Sequence, residues 1–121
     1  MKKIIAIAII VGIMGVALNA QAAISVTATW NANSEADLAS YNIYRSTTHG
    51  SGYVKINTAP IAKSSTPTFV DSISGTVQGT YYYVVTAVDT SGNESGYSNE
   101  ASIHIDTSAP APPQGITVKI K

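Results

Sequence analysis

The chain has no cysteine, which excludes disulfides, thiolate metal centres and cysteine nucleophiles. Charge is scarce as well: Asp, Glu, Lys and Arg together make up 12% of the residues. No basic cluster stands out, and nucleic-acid binding needs a clustered cationic face. Neither a G-x-S-x-G elbow nor a glycine-rich phosphate loop occurs, so the common hydrolase and nucleotide motifs are missing. After the first 22 residues no segment carries the 3.6-residue periodicity of an amphipathic helix. Trp and Phe occur once each, against seven tyrosines. These absences predict a protein without cofactor, metal or catalytic set, whose polar surface is made of Ser, Thr, Asn and Gly.

What is present begins with a leader. Lys2 and Lys3 precede an apolar run from Ile4 to Leu18, and Ala20-Gln21-Ala22 forms an A-x-A cleavage site. That is the tripartite form of a secretory signal. Residues 1–22 are therefore expected to be removed, which directs the protein to the periplasm, the cell surface or the medium. The run is short of the roughly 20 residues that span a bilayer, so no stable membrane span is expected after cleavage. Residues 23–121 then retain five cationic side chains against seven carboxylates, a net charge of −2.

From Ala23 onward the pattern has period 2, with turn-formers at short intervals. Ser25–Asn31 alternates Val26, Ala28 and Trp30 with Ser25, Thr27 and Thr29. Further strands are predicted at 41–46, 53–57, 68–71, 80–88 and 99–105. The strongest is Thr80–Val88 (T-Y-Y-Y-V-V-T-A-V), apolar on both faces and closed by turns. Such a strand belongs at the centre of an antiparallel sheet. The predicted core comprises Trp30, Tyr41, Ile43, Phe69, Ile73, Tyr81, Tyr83 and Val85. Six strands without helices imply an all-β, two-sheet sandwich.

The segments V-T-A-T-W (26–30), D-L-A-S-Y-N-I-Y-R-S (37–46), F-V-D-S-I (69–73) and Y-Y-Y-V-V-T-A-V-D-T-S-G-N-E-S (81–95), followed by S-N-E (98–100), resemble a fibronectin type III domain of the kind common in bacterial secreted proteins. The resemblance implies an immunoglobulin-like antiparallel sandwich over residues 23–106, with strands B, C, C′, E, F and G in the order just given. It also implies that Trp30 is the buried indole of strand B. Tyr81 would be the tyrosine-corner residue, its hydroxyl bonded to the turn backbone upstream.

One departure from the family pattern stands out. Strand A should precede strand B, yet cleavage after Ala22 leaves no room for it. Residues 107–121 instead read as a proline-rich linker and a strand-A look-alike, with Ile116, Val118 and Ile120 alternating with Thr117, Lys119 and Lys121. Three placements are open: the segment completes its own sandwich, completes the next molecule in a head-to-tail array, or pairs with nothing, as in a fragment of a tandem array.

The functional expectation is a non-enzymatic exported module acting through protein contacts, with itself or with another exported protein. Besides the terminal strand, the B–C and F–G loops carry the candidate partner residues Asn31, Glu35, Asp37, Asp89, Asn93 and Glu94. Those carboxylates lack an ordered Ca²⁺-loop spacing and are expected to cap their own turns. His49 falls in a turn and His104 on strand G, and each is expected to be a solvent-facing polar residue. Tyr44, Tyr53, Tyr82 and Tyr97 either shield the outer face of a sheet or offer a platform for carbohydrate.

Overall fold

The computed structural model describes residues 23–74 and 78–120, and the backbone course of residues 7–13. Its strands are β1 (Ile7–Ile13), β2 (Ile24–Trp30), β3 (Leu38–Ser46), β4 (Val54–Lys55), β5 (Ile61–Ala62), β6 (Thr68–Ile73), β7 (Gly79–Asp89) and β8 (Ala101–Ile105). One sheet has the order β1-β2-β6 and the other β4-β3-β7-β8, with β5 also paired to β3. Every pairing is antiparallel. In type III letters these are the A-B-E and C′-C-F-G sheets, and no helix occurs among the described residues.

Alternation sets the core. Ile24, Val26, Ala28 and Trp30 of β2 are buried, as are Tyr41 and Ile43 of β3 and Tyr83, Val85 and Ala87 of β7. Trp30 packs edge-on against Tyr41, with ring centroids 5.4 Å apart, a favoured aromatic geometry. Leu38 is also buried although it lies an odd number of residues from Tyr41. A register shift between Leu38 and Ser40 explains it: one extra residue resets the pleat, so both side chains face inward. Ile73, two residues beyond the strand predicted at 68–71, ends β6 and is buried. Phe69 and Tyr81 are half-buried against the same core.

β7 lies between β3 and β8, the central position its composition demands. Its second face is closed too, since Val84 and Thr86 are buried. The stretch before β8 runs beside β7 without being a regular strand. Ser95 N–H and Ser98 N–H donate to the carbonyls of Ala87 and Val85, each at 2.8 Å. The hydroxyls of the same serines accept from Ala87 N–H (2.8 Å) and Val85 N–H (2.9 Å). Serine oxygens thus stand in for ladder carbonyls, as buried backbone donors require.

An asparagine does the same on the opposite edge. The predicted strand at 53–57 is paired only at Val54–Lys55, and Ile61–Ala62 adds a second short contact with β3. Between them Asn57 is buried and its Oδ1 accepts the Ile43 N–H at 2.9 Å. Its amide donates to Asn42 Oδ1 and to the Ala59 carbonyl.

Two features set the direction of chain traffic. Ile13 pairs with Ile24, Ile24 with Ile73, and Gly79 with Ile105, so β8 ends at the pole where β1 also ends. Ile7, Trp30 and Thr68 mark the opposite pole. The edge of strand B that the sequence leaves open after cleavage carries β1 in the full-length chain, over seven paired residues. Nothing in a continuous apolar run announces a strand, because such a run has no polar alternation to read.

Candidate functional site

The two sheets are tied by a polar group in the core. Asp71 of β6 accepts two bonds from Arg45 Nη1 of β3, at 2.9 and 2.7 Å, and one from the Tyr83 hydroxyl of β7 at 2.7 Å. Burial and the neighbouring Asp71 carboxylate push the Tyr83 phenol far above its ordinary range. Burial lowers the Arg45 guanidinium, but the hydrogen bond and charge of Asp71 outweigh it and the net direction is upward. Arg45 also sits 5.9 Å above the Tyr81 ring. The described hydroxyl bond between sheets is thus made by Tyr83. The acceptor expected for Tyr81 falls in the turn that includes residues 75–77, which lie outside the described residues.

The loops are built around Asp89, which ends β7 rather than opening a loop. Its Oδ1 accepts from Ser91 N–H and Asn93 N–H, and its Oδ2 from the Asn93 amide. Those bonds, the Asn93 side chain first, hold the Asp89 carboxyl below its usual value. Gly92 takes φ 85° in this turn, a conformation that favours glycine. Thr90 N–H donates to the Asp37 carbonyl at 2.9 Å, which joins the F–G and B–C loops. Asn31 and Asp37 are exposed and Glu35 is half-buried. A cleft of about 440 Å³ opens in the B–C loop beside Asn33, Glu35 and Lys63.

Glu94 does not join this cluster. It lies on the outer face of the C′-C-F-G sheet, where it accepts from the Tyr44 hydroxyl, Thr86 Oγ1 and the Asn42 amide. Burial opposes ionisation there, but the three donors outweigh it and hold Glu94 below the usual carboxylate range. Glu100 repeats the arrangement, accepting from the Tyr53 hydroxyl and Gly50 N–H and pairing with His49. Burial and the adjacent carboxylates push Tyr44 and Tyr53 each up to about 12. No group of three or more His, Asp or Glu side chains with metal-site geometry occurs among the described residues.

Above these carboxylates lies a row of rings. Tyr97 packs between Tyr44 and Tyr53, with centroids 5.2 and 5.0 Å away and planes inclined at 69° and 65°. His49 lies 5.4 Å from Tyr82. Tyr44, Tyr97, Thr86 and Glu94 line a shallow cleft of about 330 Å³. His49 therefore has a carboxylate partner that the sequence did not suggest. His104 engages Thr80 Oγ1 at 3.0 Å. Sequence spacing could not reveal the tyrosine pairings of Glu94 and Glu100, since Tyr44 and Tyr53 lie 50 and 47 residues away.

The C-terminal stretch is the other unusual surface. Residues 106–120 form no regular element and are exposed throughout. Ile116, Val118 and Ile120 are 89%, 94% and 101% exposed, an unusual display for three alternating apolar residues. The stretch does not pair with β2, whose edges carry β1 and β6.

No protein-family model matches the chain. Relatives include the amylopullulanase of Thermoanaerobacter thermohydrosulfuricus, 46% identical over 65 residues, and that of Thermoanaerobacterium thermosulfurigenes, 43% identical over 61 residues. These matches cover 54% and 50% of this chain but span only 4% and 3% of those relatives' length. Among solved structures, an Fn3-like protein from Clostridium thermocellum superposes with a TM-score of 0.52 at 31% identity, covering 71% of this chain and 81% of that one. With the A-B-E and C′-C-F-G sheets and the tyrosine-rich central strand in place, the chain belongs to the fibronectin type III-like family.

Proposed function

We propose that the protein is an exported, non-catalytic type III module that works through protein contacts, and that it assembles head to tail by donating its C-terminal strand. The observation that carries this reading is the exposure of Ile116, Val118 and Ile120, three apolar residues in strand alternation with no partner among the described residues. β2 offers the matching edge, because its inward set Ile24, Val26, Ala28 and Trp30 lines the position that an antiparallel strand A fills. Export is supported by the Lys2-Lys3, apolar-run and A-x-A pattern. The amylopullulanase matches support a module that serves as a small part of larger proteins elsewhere.

Geometry favours a neighbour over self-closure. A strand antiparallel to β2 must begin at the Trp30 pole, whereas β8 ends at the Ile24 pole. Folding back would need the linker from Ile105 to Ile116 laid straight along a sheet about 24 Å long. A tail entering the next molecule in a stack needs no return path. Burying Ile116, Val118 and Ile120 contributes about 5–9 kcal/mol, against an ordering cost of about 2–5 kcal/mol. The balance, about 0–7 kcal/mol, corresponds to association at about 10 µM at its strongest. Sedimentation of residues 23–121 against residues 23–109 tests this. Concentration-dependent growth is expected only with the tail; monomers at high concentration in both would refute it.

A second reading rests on the ring row. Tyr97 between Tyr44 and Tyr53, over Glu94 and Glu100, joins aromatic faces to acceptors in the way carbohydrate sites do. The 69° and 65° inclinations argue against a flat stacking platform. Retardation in polysaccharide gels that Tyr97→Ala abolishes would support this reading, and unretarded wild-type protein would remove it.

A further inference from the structure

We propose that the leader's apolar segment is a temporary strand A, which keeps the β2 edge closed until cleavage and so delays assembly until export. The inference rests on the strand-donation reading above.

Between Lys2-Lys3 and Ala20-Gln21-Ala22 lies β1, Ile7–Ile13. Its register sets Ile7, Ile9, Val11 and Ile13 opposite Trp30, Ala28, Val26 and Ile24, the inward-facing residues of β2. The donor tail repeats that spacing with Ile116, Val118 and Ile120. Its alternate positions differ in kind. Thr117, Lys119 and Lys121 suit a lasting edge strand, because charge on an edge blocks further pairing. The alternates of β1 are Ala8, Ile10 and Gly12, with no charge and with a glycine that weakens a strand. One sequence is thus fitted to hold the edge for good and the other only to occupy it.

Covalent attachment makes the occupation effective. Ten residues separate β1 from β2 in the chain, and a covalent tether of that length gives an effective concentration on the order of 1 mM. A neighbour's tail at about 1 µM competes at a disadvantage of about 10³. Cleavage removes the tether, the freed segment is diluted away, and the same tail competes without that handicap. The inward face of β2 needs no change, only a change of occupant.

The test uses the full-length chain with a site-specific protease sequence inserted between Ala22 and Ala23. Sedimentation velocity at about 10–100 µM, before and after cutting, reads the assembly state. Trp30 fluorescence reads whether the core survives. The uncut chain should sediment as a monomer, and the cut chain should form larger species whose size rises with concentration. Cut Val118→Glu chain should remain monomeric. If uncut and cut chains assemble alike, and Val118→Glu blocks both, the gate is wrong while strand donation stands. If the cut chain with an intact Trp30 signal stays monomeric, donation and gate fall together. Should cutting expose Trp30, the synthetic peptide of residues 115–121 must restore its signal; failure to do so overturns the proposal.

Discussion

Replacing Asp71 with alanine removes the acceptor that joins β6 to β3 and β7, and the consequences for its two donors differ. The Arg45 side chain is 32% exposed, so its guanidinium rehydrates at modest cost. Tyr83 is fully buried, and its hydroxyl is left without a partner, which costs about 1–3 kcal/mol beyond the bond itself. Asp71→Ala should therefore destabilise by about 3–5 kcal/mol, a large share of the 5–15 kcal/mol typical of a domain. Tyr83→Phe keeps the Arg45 pair and loses one bond to a charged group, about 1.5–3 kcal/mol. The double variant strands no hydroxyl, so it should be no less stable than Asp71→Ala, a coupling of at least about 1 kcal/mol. Urea unfolding followed by Trp30 fluorescence measures all three. With a slope of about 1–2 kcal/mol/M, the Tyr83→Phe midpoint should fall by about 0.8–3 M. Strict additivity, or a Tyr83→Phe loss below about 0.5 kcal/mol, would refute the tie. The tie matters for assembly because β6 is the strand that anchors β2 once β1 is gone.

Two further outcomes follow from the outer face and the C edge. Tyr44 and Tyr53 are raised to about 12, so their contribution to stability is complete below the unfolded phenol value near 10 and is lost as pH rises through 12. Stability should fall across pH 10–12, and the Tyr44→Phe/Tyr53→Phe variant should flatten that slope; an unchanged slope would contradict the assignment. Asn57→Ala removes the acceptor of the Ile43 N–H and the donor to Asn42 Oδ1, and should cost about 1–3 kcal/mol by the same urea assay. Asn57→Asp should recover part of the loss by supplying an Oδ1 acceptor to Ile43.

The strands were legible because Trp30, Tyr41, Ile43 and Val85 sit in alternating patterns, which a half-buried pleat imposes, and their arrangement followed from the resemblance to type III domains. The central position of β7 was legible from the lack of polar alternates in Tyr81–Val88. Long-range polar pairing was not. Arg45 and Asp71 lie 26 residues apart, and Tyr44 and Glu94 lie 50 apart; only the folded register brings them together. Ser95 and Ser98 read as loop residues and Asn57 as the end of a strand, because side-chain oxygens replacing ladder carbonyls leave no periodic trace. β1 was hidden for another reason. Ile7–Ile13 carries a leader's composition, and the same apolar residues satisfy a strand. The tail reads as a strand from its alternation, but the structure gives residues 106–120 no regular element and leaves Ile116, Val118 and Ile120 uncovered.

Because the chain contains no cysteine, a disulfide trap on residues 23–121 reads the central claim without background. In the β1 register Thr27 faces away from the core, opposite Ile10, so a tail strand in that position sets Thr117 or Lys119 beside it. The Thr27→Cys chain should be mixed under oxidation with chains carrying Thr117→Cys, Val118→Cys or Lys119→Cys. An intermolecular disulfide is predicted with Thr117→Cys or Lys119→Cys but not with Val118→Cys, whose side chain points to the opposite face. Equal crosslinking at all three positions, or none at any, would contradict donation of the terminal strand to the edge of β2.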